Sequence, residues 1–287
     1  MQGVFEFAAG SVPGRDHVLI AKNNQDARHV LSLPDLSVAV VCDGCGDSNS
    51  RYSEMGAILG SQLMVEAIVR NARRIIHSEE PRRISEESFW ERVRQDVLAQ
   101  LRVIALQLGG SLTQVVTHDL LFTTVVALIT PRISVFATIG DGIIIVNGEQ
   151  IPVDKYPENK PPYMAYGLVD STIPPEFLRF RIWKTLETEW LSSFLIGSDG
   201  VEDLIASAEK NIPGREELVG PVSQFWENDR YFANSDALRQ RFTVINRNVD
   251  KIRWDERRVD KNNGLFHDDT TIVVGRRPTV QEDTSDD

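Results

Sequence analysis

The sequence predicts an α+β fold in which strands are in the majority and the helices arrive as one consecutive pair. Three observations carry this. Val38–Cys42 and Leu120–Ile129 are apolar runs rich in β-branched residues, with no polar alternation to mark a wet face, so they read as strands buried on both sides. Between them, from about Ser53 to Leu108, the apolar period lengthens to three and four residues, the stripe of amphipathic helices. After Gly109-Gly110 the pattern returns to strands, and the chain as a whole does not alternate strand and helix in βαβ fashion. At 287 residues there is ample material for one large core. The expected organisation is a single domain over 1–278 and a disordered acidic tail over 279–287, which holds Glu282, Asp283, Asp286 and Asp287.

In chain order, residues 3–9 and 27–33 have weak strand character and flank a loop, Gly10–Asp26, dense in polar groups: Gly14-Arg15-Asp16-His17 and Asn23-Asn24-Gln25-Asp26. Strand 36–42 runs into Asp43-Gly44. Met55, Ile58, Leu59, Leu63 and Ile68 stripe the first helix. The second follows Pro81, with Ser85 as its cap, Glu86 and Glu87 in the favourable first turn, and Trp90, Val93, Val97 and Leu101 on one face. Gly109-Gly110 ends it. Ile133–Ile139 alternates into Gly140-Asp141-Gly142, and Ile143–Val146 reaches Asn147-Gly148, a type I′ hairpin signal. Ile151–Pro175 has no period and reads as a long surface excursion, a flap. Leu178, Phe180 and Ile182 alternate with Arg179 and Arg181 as a strand wet on one face. Phe194–Ile196 runs into Gly197-Ser198-Asp199-Gly200, with a short helix from Val201; 207–250 is polar and helical over Ser235–Val244; Thr270–Val274 is the last strand.

Composition excludes several classes. With 31 Lys and Arg against 42 Asp and Glu, the formal charge is −11, which argues against nucleic acid or an anionic membrane as a partner. Met1–Glu6 has no signal-peptide pattern and the apolar runs are too short to span a bilayer, so a cytoplasmic protein is expected. Cys42 and Cys45 form a C-x-x-C, yet they flank Asp-Gly at a strand end with no helix pattern directly after, unlike a thioredoxin-type redox motif. Two cysteines also lack the further ligands that zinc spacing would need.

Four strand boundaries carry an acid beside a glycine or a second acid: Asp43-Gly44, Asp141-Gly142, Asp199-Gly200 and Asp268-Asp269. One such pair is punctuation; four, each abutting an apolar strand, suggest strand ends meeting at one rim. Gathered carboxylates repel unless cations neutralise them. Carboxylate and carbonyl oxygens without imidazole or thiolate favour Mg²⁺ or Mn²⁺. A pair of such ions can lower the pKa of a water and polarise a phosphoryl oxygen, which predicts a binuclear hydrolase of a phosphorylated substrate.

In this order, Asp43-Gly44-x-Gly46, Gly140-Asp141-Gly142, Gly197-Ser198-Asp199-Gly200-x-x-Asp203 and Asp268-Asp269-x-Thr271 resemble the motifs of PP2C-type (PPM) serine/threonine phosphatases. Gln25-Asp26, Ser53 and Gly56-Ala57 fit the same pattern, and Gly14-Arg15-Asp16-His17…Gln25-Asp26-Ala27 is similar to a bacterial branch of that family. The resemblance covers roughly 10–275. It implies a β-sandwich of two antiparallel sheets flanked by helix pairs in α-β-β-α layers. It implies Mn²⁺ or Mg²⁺, two ions with a third weaker site, and hydrolysis of phosphoserine or phosphothreonine on proteins through a water bridging the metals. By position, Asp43 would bridge both ions and Gly44 would lend its carbonyl. Asp199 and Asp268 would complete the first ion, Asp141 would join Asp199 at the third, and Asp26 would serve the second. Asp43, Asp199 and Asp268 are the residues on which catalysis is expected to depend.

The chain departs from the family pattern at three positions. Cys45 stands where mammalian members have a histidine after Asp-Gly, Ala21 stands where a phosphate-binding arginine is expected, and Gln25 stands where many members have a ligating glutamate. Arg15, Lys22 or His17 would then hold phosphate, with Arg15 favoured over Lys22 for its guanidinium fork. Asp269 and Asp203 are expected to orient their neighbours, and Asp47 to be a turn acid; His267 reads first as structural, and His29, His77 and His118 are given no role. The expected partners are phosphorylated proteins within the circuit of a serine/threonine kinase, acted on by a monomer. The alternative is a weak or dead phosphatase-like module that binds a phosphoprotein or kinase.

Overall fold

A computed structural model describes residues 5–46, 50–157, 160–169 and 172–278. The predicted tail over 279–287 and Asp47 lie outside these residues. The described residues contain twelve strands and eight α-helices, numbered here in chain order.

The strands form two five-stranded sheets in which every neighbouring pair is antiparallel. The first has the order β1 (Glu6–Val12), β12 (Thr270–Arg276), β9 (Ser193–Gly197), β6 (Ile143–Val146), β7 (Glu149–Ile151). The second has the order β2 (Asp26–Leu33), β3 (Leu36–Gly44), β4 (Phe122–Ile129), β5 (Ile133–Ile139), β8 (Arg181–Glu187). Helices α2 (Ser53–Ala72) and α3 (Glu87–Leu108) cover the outer face of the second sheet. The short helices α5 (Val201–Ala206), α6 (Gln224–Glu227), α7 (Arg230–Ala233) and α8 (Ala237–Ile245) cover the first. This is the α-β-β-α sandwich that the resemblance implies.

The period of two in β3 explains why its sequence shows no wet face. Val38, Val40 and Cys42 pack among Met64, Ile68 and Trp90 of the helix pair. Ala39 and Val41 point the other way, into an inter-sheet core with Phe136, Phe194 and Val273. Each fully buried aliphatic side chain in such a layer contributes on the order of 1.5–3 kcal/mol. Asn147 (φ 53°) and Gly148 (φ 82°) form the left-handed hairpin turn between β6 and β7.

Several expectations are corrected. The polar stretch before Asp26 is not all loop: β1 extends to Val12 and α1 (Arg15–Leu19) follows. Ser85 does not cap α3; Glu86 takes that position without a side-chain cap, and the Ser85 hydroxyl donates to the Arg82 carbonyl at 2.7 Å. The excursion 151–175 is anchored, because Met164 and Ala165 in a short 3₁₀ turn are buried in the core beneath α3. The strand expected from Leu178 begins only at Arg181, since 175–178 is another 3₁₀ turn. Besides the short helices α1, α6 and α7, two elements are missed in the sequence. They are α4 (Leu112–Asp119), capped by the Ser111 hydroxyl accepting from the Gln114 N–H at 3.2 Å, and the hairpin β10 (Val249–Arg253) with β11 (Arg258–Asn262). Among the described residues no helix is long and apolar enough to cross a membrane.

Candidate active site

Antiparallel register gathers the acids. β9 ends at Gly197, which faces Ile143 near the start of β6 and Ile272 near the start of β12. Asp199 therefore leaves the sheet where Asp141 and Asp268 approach it. In the other sheet, Asp26 at the start of β2 faces Asp43 at the end of β3. Both rims open on one pocket of about 850 Å³, whose lining includes Asp43, Gly44, Asp141, Asp199 and Asp268. Asp141 is placed by its neighbours: Gly140 (φ 86°) and Gly142 (φ 127°) hold a backbone that other residues seldom adopt, turning the chain sharply between β5 and β6.

The acids resist ionisation. Burial first, and then Asp26, Asp199 and Asp268, push the Asp43 carboxyl well above the usual carboxylate range. Asp26 is likewise driven well up by burial, although the Ser198 hydroxyl donates to its Oδ2 at 2.7 Å. Burial and then the Asp199 charge raise Asp141 to about 7. Asp268 is raised by burial and by the Asp269 charge, opposed by its hydrogen bond from the Asp269 N–H and by the nearby His17 and Lys22. The other carboxylate oxygen of Asp26, Oδ1, is buried without any hydrogen-bond donor. A buried acceptor without a donor, among acids that repel one another, fits hard divalent cations, for which carboxylate oxygens are the preferred ligands.

A second set of acids builds the frame. Asp269 is almost fully buried; its Oδ1 accepts from the Gly14 N–H at 2.7 Å and from His17 Nδ1 at 2.8 Å, and its Oδ2 accepts from the Gln25 N–H at 2.5 Å. Asp203 Oδ2 accepts from the His267 N–H at 2.6 Å and lies 3.1 Å from His267 Nδ1, steadying the residue before Asp268. Both act as orienting acids, as their positions in the sequence suggest. The Gln25 side-chain amide donates to the Ser53 hydroxyl at the start of α2, so this side chain ties β2 to the helix pair.

Of the three phosphate candidates, His17 lines the pocket, and Arg15 and Lys22 are not among the lining residues. The Arg15 guanidinium donates to the Gly264 carbonyl at 3.1 Å and reaches Asp16 at 3.4 Å. Ala21, at the position of the expected arginine, has a left-handed backbone (φ 55°). The lining also includes residues that the sequence reading passed over: Lys160, Tyr163 and Tyr166 from the aperiodic 151–175 stretch, and His118 at the end of α4. Only the cluster of tyrosines in a stretch without a period could have pointed there. Both cysteines are buried free thiols; Cys42 hydrogen-bonds with Thr124 at 3.3 Å, and burial pushes its thiol up to about 12, opposite to what a redox motif needs. Burial, then the adjoining Cys45, push the Tyr163 phenol up as well.

Comparison with known proteins gives the family and the fold. A family model described as protein phosphatase 2C matches residues 13–240. A solved bacterial serine phosphatase superposes over 96% of this chain and 99% of its own, with a TM-score of 0.53 at 16% identity, a likeness of fold. The serine/threonine phosphatase Stp1 from Staphylococcus aureus is covered to 96% by 97% of this chain, at 15% identity and a TM-score of 0.49. A search of curated proteins gives no match.

Proposed function

We propose that this chain, which belongs to the protein phosphatase 2C family, is an active metal-dependent phosphatase that hydrolyses phosphoserine and phosphothreonine on proteins. The observation that carries the reading is the convergence of Asp43, Asp141, Asp199 and Asp268 on one pocket, with Asp26 buried behind them opposite Asp43 and one of its oxygens lacking any donor. Asp43, the Gly44 carbonyl, Asp199 and Asp268 would hold the ions together with Asp26, and Asp141 with Asp199 would hold a weaker third. Bound Mn²⁺ or Mg²⁺ supplies charge neutralisation, a water activated as nucleophile and polarisation of the phosphoryl group.

The chain's own residues position and screen. Asp269 holds Gly14 and Gln25 against the site, and Asp203 holds the His267-Asp268 turn, so the acids are fixed before substrate arrives. Lys160 is the one lysine or arginine among the described residues that line the pocket, and we assign it to the phosphate dianion, as a point charge. Tyr163 and Tyr166 make an aromatic wall, 6.0 Å between ring centroids, against which a protein substrate would rest. The substrates we propose are phosphoproteins of a serine/threonine kinase circuit.

A second reading, a weak or inactive phosphatase-like module that binds a phosphoprotein or kinase, is favoured by Ala21 and by Gln25, whose amide is engaged with Ser53. Hydrolysis of an aryl phosphate with Mn²⁺, with Mg²⁺ and with a chelator decides between them. The active reading expects turnover with metal and none with chelator; no turnover under any metal supports the binding module.

A further inference from the structure

We propose that His17 is a nitrogen ligand to a divalent cation at this site, aimed and held there by Asp269. The inference rests on the metal-dependent reading and changes the ligand set from all oxygen to mixed nitrogen and oxygen.

The local architecture is built around one imidazole. α1 has no buried residue, and Val18, Leu19 and Ile20 at its end are strongly exposed, so no apolar burial fixes this segment. It is stitched down by polar contacts to the turn before β12. The Gly14 N–H donates to Asp269, the Arg15 N–H to the Phe266 carbonyl at 2.9 Å, and the Asp16 N–H to the His267 carbonyl at 3.4 Å. A Cβ at Gly14 would overlap the backbone of His267 and Asp268, so only glycine lets the start of α1 lie directly on that turn. The result places a ring nitrogen of His17 and one carboxylate oxygen each of Asp268 and Asp269 within 4.8 Å of one another, and the ring lines the pocket beside Asp43 and Asp199.

The tautomer follows from the hydrogen bond. An ionised carboxylate only accepts, so at 2.8 Å from Asp269 Oδ1 the His17 Nδ1 carries the proton. In the neutral ring, Nε2 then has the free lone pair. A carboxylate behind an imidazole whose other nitrogen is free is the arrangement that orients histidine ligands and raises their basicity. A structural His–Asp pair is the plainer account, but Asp269 already accepts two backbone N–H groups and does not need the ring to satisfy it. An imidazole in the set also favours Mn²⁺ and later first-row ions over Mg²⁺.

The test uses tag-free full-length protein with Mn²⁺ alone as the probe. Equilibrium dialysis gives affinity, and pulsed electron paramagnetic resonance detects ¹⁴N bound directly to Mn²⁺. Wild type should show the nitrogen signal. His17→Gln should abolish it and weaken Mn²⁺ at least about tenfold, whereas His118→Gln, which changes the other pocket imidazole, should keep it. Asp269→Asn should lower Mn²⁺ affinity roughly 10–100-fold and keep the signal; unchanged affinity there removes Asp269 from the proposal. If Mn²⁺ binds and activates wild type without a nitrogen signal, and His17→Gln raises only KM for an aryl phosphate, His17 is a phosphate contact. That result overturns the proposal and leaves the phosphatase reading standing. Failure of wild type to bind Mn²⁺ at all overturns both.

Discussion

Replacing Asp141 with asparagine should stabilise the metal-free protein at pH 8 and leave its stability unchanged near pH 4. Asp141 is 8% exposed, and burial and then the Asp199 charge raise its carboxyl from an ordinary 3.8 to about 7. The raised value means that the native state holds a proton which the unfolded chain has released between those two pH values. Unfolding free energy therefore falls as pH climbs through that window and levels off above about 7. Some three units correspond to about 4 kcal/mol at most. Part of that rise belongs to repulsion from Asp199 and Glu202, which an amide escapes at nearly constant volume. A gain of about 2–4 kcal/mol at pH 8 is expected, or roughly 5–15 °C in Tm for a chain of this size. The assay is urea unfolding of both proteins in chelator at pH 4.5, 6 and 8, reading the difference between them. That difference should open from about a quarter of its full value at pH 4.5 to nearly all of it at pH 8. Mn²⁺ at a hundredfold over the Kd of the third site, the one Asp141 would serve, should restore about 2.7 kcal/mol to wild type that the variant does not gain, and so narrow the difference. A difference that is constant with pH, or a variant less stable than wild type at pH 8, would refute the account of a crowded carboxylate rim.

Asp43→Asn, Asp199→Asn and Asp268→Asn should each lower kcat by at least about a hundredfold with circular dichroism unchanged; near-normal kcat in all three would displace the site. Cys45→Ser should cost less than about tenfold in kcat for both aryl and alkyl phosphates, because the buried thiol is not the donor of the leaving-group proton; a hundredfold loss confined to alkyl phosphates, against the 10²–10⁴ typical of a positioned acid, would reverse that. Lys160→Ala should raise KM for phosphorylated substrate at saturating Mn²⁺ severalfold, with Arg15→Ala and Lys22→Ala changing it little; a rise for Arg15→Ala alone would return the phosphate to the guanidinium. Trp90→Ala should destabilise the helix-covered face by about 3–5 kcal/mol, read by urea unfolding, since Trp90 is fully buried against Phe89 and Phe180.

The sequence by itself determined the elements whose signal is local. Apolar runs without alternation marked β3 and β4 as doubly buried, alternation marked β5 as a strand, three- and four-residue spacing marked α2 and α3, and Asn147-Gly148 marked the hairpin. The acid-glycine punctuation at Asp43, Asp141, Asp199 and Asp268 was equally legible, because carboxylates at the ends of apolar strands are conspicuous wherever they stand. Other features were decided only by tertiary structure. α1 and the β10–β11 hairpin bury little apolar surface of their own, so no period announces them, and α4, with Leu112, Val115 and Val116 on one face, is too short for its spacing to stand out. Lys160 and Tyr163 reach the pocket because Met164 and Ala165 pin an aperiodic stretch into the core, a contact made across distant parts of the chain. His17 and Asp269, 252 residues apart, meet because β1 and β12 pair antiparallel and bring the chain's two ends to one rim. Distance along the chain hides such contacts from any local pattern, and the register of a sheet supplies them.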